Sequence, residues 1–489
     1  MDAPSAEAAY MFAHALLQRA CYELMLPSER AELHRRALEY LHTHKLGAPE
    51  ELAVHALAGQ AGAPPALAAQ LKALRRGFLH EAAESALNSY ANERGLSLLN
   101  ELFMCEGLSD VERIQILRRR AETLNRIGHM DAAVDEAQAA LRAAQELGEQ
   151  LEIARAQLVL GRCCLDSSSN ARAPMLLASA VESLRRLDDA RALELAVSAM
   201  SRALFTAGRT EEALVPAQEA VMLAQTLRDE PRVIRCRMHL MTILAQLGRN
   251  DEATALSATL APLLDSSPSP EIRCALASAL ASLSHGLGHL EEARGYHERA
   301  SQEATAGGMH AEVARAEVNL GGVALQLRRF SDGLKHVERA EAMARELGNM
   351  RVLWFALRNR YETYDAVGDF RNALQAATSA ARVAETASMA WHYLVSCAQA
   401  AAAFLELGQA EDALEWVEGA LAAPRAGQFL NFVLAKLHAQ RACALQRVGR
   451  QSEAAQSVEQ MEQFLKLAGS EPDMDSQRWI QEARSYAAL

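Results

Sequence analysis

Apolar residues recur along this chain at helical spacing, as in Leu141, Ala144 and Leu147 or Leu214, Ala217, Val221 and Ala224. They predict amphipathic helices joined by short turns. Glycines punctuate the pattern on a 40-residue grid at Gly128, Gly208, Gly248, Gly288, Gly368, Gly408 and Gly449, with one extra position at the last step. Ser168 and Arg328 lack the glycine but fall on the same grid. At the fifth position after each turn stands a small residue: Ala133, Ala173, Ala213, Ala253, Ala293, Gly333, Ala373, Ala413 and Ala454. Seven further on come Ala140, Ala180, Ala220, Ala300, Ala340, Ala380 and Ala420, with Leu260 and Met461 as departures. Two helices can bring their backbones together only where the side chain at the crossing is small. Glycine serves the turn, because it adopts the left-handed conformation that closes a helix C-terminus at little steric cost.

Gly208-Arg-Thr-Glu-Glu-Ala213 and Gly248-Arg-Asn-Asp-Glu-Ala253 carry a glycine turn followed by alanine at the fifth and, in the first, at the twelfth position. This pattern resembles the tetratricopeptide repeat, and about nine units of it cover residues 110 to 466. The family's period is about 34 residues, so a 40-residue unit implies helices longer by most of a turn each. Its early Trp and closing Pro are mostly absent here. The resemblance implies an all-α fold, a right-handed superhelical solenoid of about nine helical hairpins preceded by an N-terminal helical segment. Such arrays are stabilised between neighbours and need capped ends. Residues 470–489 are expected to be the cap, an amphipathic helix with Trp479, Ile480, Ala483 and Tyr486 on one side, after the helix stop Gly469-Ser-Glu-Pro-Asp473.

The first hundred residues leave the grid. Phe12-Ala-His14-Ala-Leu16-Leu17-Gln18, then Ala20, Tyr22-Glu23, Leu26-Pro27, Arg30 and Leu33-His34-Arg35-Arg36, and a second run from Glu51 to Gly59, resemble the helical segment that follows the nucleotide-binding module of large bacterial signalling ATPases. That class is fused to Ser/Thr kinases, adenylate cyclases or transcriptional regulators. The resemblance covers about 60 residues and implies that the chain is the C-terminal sensor arm of such a machine, as a separate product or as part of a longer one. No GxxxxGK[ST] phosphate cradle occurs in the sequence, so the ATPase itself is not carried over. Residues 1–60 form the linker-like segment, residues 66–105 a degenerate first hairpin with Tyr90 near its turn, and residues 106–466 the repeat array. Pro64-Pro65 marks the boundary, because prolines deny a continuing helix its hydrogen bonds.

Charge narrows the function. With 50 Lys+Arg against 62 Asp+Glu the formal net charge is −12, which argues against nucleic-acid or anionic-membrane binding. The sequence holds no apolar run of about 20 residues and no leader-like start, so a cytoplasmic protein is expected. Eight scattered cysteines without a CxxC spacing fit a reducing compartment. His285, His289 and His297 straddle a turn, and Cys163-Cys164 point about 100° apart on a helix, so neither a metal site nor a redox pair is expected. His14 and His34 are expected to be structural. No catalytic constellation has recognisable local context, and the chain is expected to be no enzyme and to need no cofactor.

In tetratricopeptide arrays the first helix of each hairpin lines the concave groove. Positions 13, 10, 6 and 3 before each turn then give Arg118, Arg155, Arg162, Arg202, Arg235, Arg315 and Arg358, with Leu158, Leu165, Leu195, Phe205 and Met238 between them. Planar guanidinium forks pair bidentately with carboxylate or phosphate. The groove is therefore expected to hold a protein or peptide, acidic or phosphorylated, with an ATPase or kinase among the partners. Arginine on a solvated helix face also serves solubility and intrahelical pairing, and this reading stays open. So do a constitutive assembly scaffold without switching, a detached C-terminal part of an ATPase or kinase regulator, and self-association through an exposed end.

Overall fold

A computed structural model describes residues 15–89, 91–165, 167, 172–387, 389–422, 431–468 and 474–487. Phe12, His14, Tyr90, Ser168 and the stop at 469–473 lie outside them, as do the side chains of Leu16, Leu17 and Gln18. The described residues form 25 helices and no strand.

From Ala190 a 20-residue half-repeat becomes visible. A 17-residue helix alternates with a three-residue turn in Ala190–Thr206, Thr210–Thr226 and Glu230–Gln246, and again from Pro270–Gly286 through Ala390–Glu406. Each such helix is about 25 Å long at 1.5 Å per residue. Where it is described, the middle residue of the three-residue turn has positive φ whether the turn lies within a hairpin, as at Gly208 and Gly248, or between hairpins, as at Gly308 and Gly348, and Gly148 does the same in a two-residue turn. The Gly208 amide donates to the Phe205 carbonyl and the Arg209 amide reaches back to Leu204 at 2.9 Å. This is the paired bonding that satisfies the last carbonyls of a helix. Asp188, Arg228 and Arg328 take the same left-handed conformation without being glycine, at φ of 55°, 53° and 57°.

Within each hairpin the helices cross where the fifth residue after the turn meets the seventh before it. The Ser201 hydroxyl donates to the Ala213 carbonyl at 2.8 Å, and a Cβ on Gly333 would sit 3.4 Å from the carbonyl oxygen of Gly321. A Cβ on Gly161 would stand only 2.6 Å from Leu177 Cγ on the facing helix. The alanines at the fifth and twelfth positions after the turn are buried, Ala133, Ala213, Ala293, Ala373 and Ala140, Ala300, Ala380 completely. One helix breaks the rule. Asn250–Leu260 stops early because Pro262 lacks an amide and its ring crowds the Ala258 carbonyl, and the short helix Leu263–Ser266 follows. The departure from alanine sits at that break, where Leu260 is fully buried among Leu264, Ile272 and Leu276.

The chain forms two compact units, residues 1–192 and 193–489. In the first, helices Pro27–Thr43, Pro49–Ala58 and Pro65–Asn88 each begin on proline, whose fixed φ suits the first helical position. Leu38, Leu52, Phe78, Leu79 and Leu98 pack into their common core, and two hairpins, Asp110–Ile127 with Met130–Leu147 and Gln150–Leu165 with Ala173–Arg186, complete the unit. In the second, the hairpins end in helix Met474–Ala487, where Trp479, Ile480 and Ala483 are buried with Ala435, Cys443 and Met461, and Tyr486 packs alongside.

Successive first helices also touch one another. Trp354 Nε1 donates to Ser396 Oγ at 2.8 Å, Asn359 Nδ2 to the Val318 carbonyl at 2.7 Å and Gln440 Nε2 to the Ala398 carbonyl at 2.9 Å, each about one repeat away. Second helices pack on the first helices before and after them rather than on each other. Within each unit the row of first helices is therefore the tighter side.

At Arg328 a β-carbon occupies a left-handed conformation that costs an L-residue roughly 1–2 kcal/mol and glycine almost nothing. After glycine's extra chain entropy, Arg328→Gly should stabilise the protein by about 0.5–1 kcal/mol, and Gly248→Ala should destabilise it by about 1 kcal/mol. Urea unfolding midpoints of the two variants check both signs.

Candidate partner-binding surface

The expected groove arginines all lie on first helices, and most are neutralised within the chain. In the first unit, Arg118 pairs with Glu152 at 3.0 Å, Arg155 with Glu152 at 3.2 Å and Asp189 at 2.8 Å, and Arg162 with Glu122 at 2.7 Å. Glu152 thus ties two consecutive first helices together, and Leu158 and Leu165 further along the same helix are buried. In the second unit, Arg235 pairs with Glu271 at 2.5 Å, Arg315 with Glu312, and Arg358 with Glu362 at 2.8 Å. Arg202 is exposed and has no ion pair among the described residues. It stands near His239, whose pKa falls to about 4 because of burial first and the Arg202 charge second. Phe205 meets the His239 ring edge-on at 6.0 Å, and Met238 is buried.

Behind this surface runs a series of buried carboxylates that the spacing rule does not find. Glu194 is 1% exposed, receives Arg232 at 2.5 Å and accepts the Cys236 thiol at 3.2 Å. Glu317 meets His336 at 2.8 Å and Arg339 at 3.1 Å, and Glu341 meets Arg345 at 3.1 Å and Arg360 at 2.9 Å. Glu303 takes Arg273 at 2.7 Å and Arg299 at 2.7 Å, and Arg299 reaches on to Asp265 at 3.0 Å. A buried carboxylate keeps its charge only when paired, and pairs between different helices fix how those helices sit on each other. These groups explain why so many arginines serve an acidic protein. They are fasteners between helices.

The remaining candidates sit as follows. His289 is solvent-exposed with its Nδ1 3.5 Å from Glu292, whereas His297 is buried and its pKa is lowered to about 4 by burial, with His285 adding to the shift. Among the described residues no group of three His, Cys, Asp or Glu side chains is arranged to hold a metal ion. Cys163 and Cys164 are both buried and joined in no disulfide. His34 joins Tyr22 Oη at 2.8 Å to His55 Nδ1 at 2.8 Å, linking the first three helices. No described helix is long and apolar enough to cross a membrane.

Glu303 sets a pH dependence. The Arg273 hydrogen bond, with help from Arg299 and against burial, holds its pKa below the ordinary 4.5. A carboxyl lowered on folding contributes stability above its unfolded pKa and loses it as pH falls through the folded value. Glu303→Gln should therefore cost about 2 kcal/mol at pH 7, with the gap to the parent closing as pH falls through the lowered folded value. Urea midpoints measured across pH 3–7 read that convergence.

No family model matches the sequence, and no curated protein does. Solved structures do share the arrangement of helices. A Rap protein complexed with competence and sporulation factor matches at 12% identity over 85% of this chain and 100% of its own, with a TM-score of 0.46. A signal-transduction ATPase with a tetratricopeptide repeat sensor from Pyrococcus horikoshii matches at 14% identity over 84% of this chain and 56% of its own, at 0.44. Yeast Tom70 matches at 11% identity over 95% and 96%, at 0.48. Likenesses of this strength carry nothing about partner or activity, and the fold is read from the hairpins themselves. Left-handed turns on a 40-residue grid, small residues at each crossing and first helices stacked on first helices make the chain an all-α array of tetratricopeptide-like helical hairpins.

Proposed function

We propose that this chain is a protein- or peptide-binding scaffold whose working surface is the row of first helices. One observation carries the reading: the first helices pack directly on one another, yet Arg202, Arg235, Arg315 and Trp391 remain exposed along them in the second unit. A continuous surface of closely spaced helices that presents guanidinium and aromatic groups suits an extended acidic segment, since charge complementarity steers encounter and aromatic anchors supply affinity. Catalysis is not part of this reading.

We further propose a signalling role, as the arm that senses a partner and passes its state through residues 1–60 to an ATPase or kinase. Support comes from the N-terminal helices, which expose Leu24, Leu26, Tyr40 and Val54 at 86%, 63%, 58% and 58%. Such apolar exposure suits a docking surface.

Arg118, Arg155 and Arg162 are poor test positions, because reversing their charge would break pairs that hold helices together. A photo-crosslinking residue at Arg202, which has no such pair among the described residues, avoids that, and one at Arg235 breaks only an exposed pair with Glu271. Compared with the same residue at Val215 or Met222, which are exposed on a second helix, the first-helix positions should give the stronger crosslinks to co-purifying protein. Crosslinks confined to Val215 and Met222 would move the working surface to the other side.

A further inference from the structure

We infer that Arg351, with the aromatic floor formed by Trp391, Phe355 and His392, is an anchor site for an acidic side chain of an extended partner segment in which the acid stands next to an apolar residue. The inference rests on the scaffold reading above and assigns it a place.

Arg351 and Trp391 occupy the same register on consecutive first helices, each the second residue of its helix, in Met350–Ala366 and Ala390–Glu406. That is one helical turn earlier than the arginines the groove rule selects. Between them lies a packed aromatic group. His392 meets Trp354 edge-on at 4.5 Å, Trp391 at 4.9 Å and Phe355 at 6.0 Å, and Trp391 lies 5.7 Å from Trp354. Trp354 is fully buried and tied to Ser396, so it fixes the floor. Trp391 stands above it with 39% of its surface exposed.

The charges around this floor do not cancel. Arg315 is held by Glu312 and Arg358 by Glu362, but Arg351 is exposed and has neither an ion pair nor a hydrogen bond among the described residues. Three arginines thus stand against two carboxylates. The field of the surplus reaches its neighbour: His392 titrates near 4, through burial first and then the Arg351 and Arg358 charges. His392 is therefore neutral at physiological pH and adds an aromatic face rather than a cation. Most other arginines of the first-helix row are satisfied in place. Among the described residues, Arg351 combines an open fork with an exposed tryptophan at the same register of the next first helix.

A carboxylate matches this arrangement. It would complete the empty fork of Arg351 bidentately, and an adjacent apolar side chain would cover Trp391. The small exposed area of the floor suits one or two residues, which is how an extended peptide is read along a helical row.

The test uses the full chain and a fluorescein-labelled twelve-residue peptide with a central Glu-Phe-Glu in a Gly/Ser frame, followed by anisotropy. Its Gln-Phe-Gln, Glu-Ser-Glu and phosphoserine-Phe-phosphoserine counterparts run in parallel. Arg351→Glu and Trp391→Ala should each weaken the Glu-Phe-Glu peptide at least tenfold. Arg371→Glu, an exposed reversal on a second helix, should weaken it less than threefold, and circular dichroism should show all three variants folded. Equal losses at Arg351 and Arg371 would reduce the effect to general charge and overturn the site while leaving the scaffold reading intact. Undiminished binding of Gln-Phe-Gln would overturn the carboxylate, and tighter binding of the phosphoserine peptide by tenfold would replace it with a phosphorylated segment. No binding of any peptide to the parent chain would overturn the anchor, whereas the scaffold reading stands or falls on the crosslinks from Arg202 and Arg235.

Discussion

Where the two helices of a hairpin cross, Ala213 meets Ser201, Gly333 meets Gly321 and Leu177 fills the space that a side chain at Gly161 would take. Close approach of the two backbones at this point is the constraint from which the rest follows. It demands a small residue on the second helix, where the first helix carries anything from Gly321 to Met241 and Tyr361, and it fixes the distance from turn to crossing and so the length of the half-repeat. With the crossing set, 17-residue helices and three-residue turns repeat without drift, and each hairpin offers the same faces to the next. The helix that stops at Leu260 shows the tolerance of the system: its crossing residue Ala253 is kept, and Leu260 and Leu264 fill the core beyond it.

The packing of small residues brings backbones together but says little about angle. Directional pairs supply that. Glu152 between Arg118 and Arg155, Glu194 under Arg232, and Glu341 between Arg345 and Arg360 each join different helices through a nearly dry carboxylate. Removing one partner from such a pair strands a charge, which is why these contacts act on geometry as well as stability. The same residues reduce the positive field of the first-helix row, and they leave Arg202 and Arg351 among its open positions. Recognition and architecture thus draw on one residue type, and the pairing decides which arginine does which.

The turn glycines and the small residues after them were legible because they recur at a fixed period along the chain. The all-α repeat class followed from them. What stayed hidden was of three kinds. Asp188 and Arg228 close left-handed turns between hairpins without a glycine to announce them, so the 20-residue half-repeat was not visible from composition. The buried carboxylates escaped because most of their partners lie on other helices, often most of a repeat away, where no local pattern links Glu303 to Arg273 or Glu194 to Arg232. Arg351, Trp391 and His392 were missed for a third reason: the groove rule begins at the thirteenth position before the turn, and these stand a helical turn earlier.

Hydrogen exchange on Ala293→Leu tests the crossing constraint most directly, because Ala293 is fully buried where its hairpin crosses. The account predicts that amide protection falls most in Pro270–Gly286 and Leu290–Ala306, less in the adjoining Glu230–Gln246 and His310–Gln326, and little beyond them. Unchanged protection in the substituted hairpin, or an even loss across residues 193–489, would contradict it.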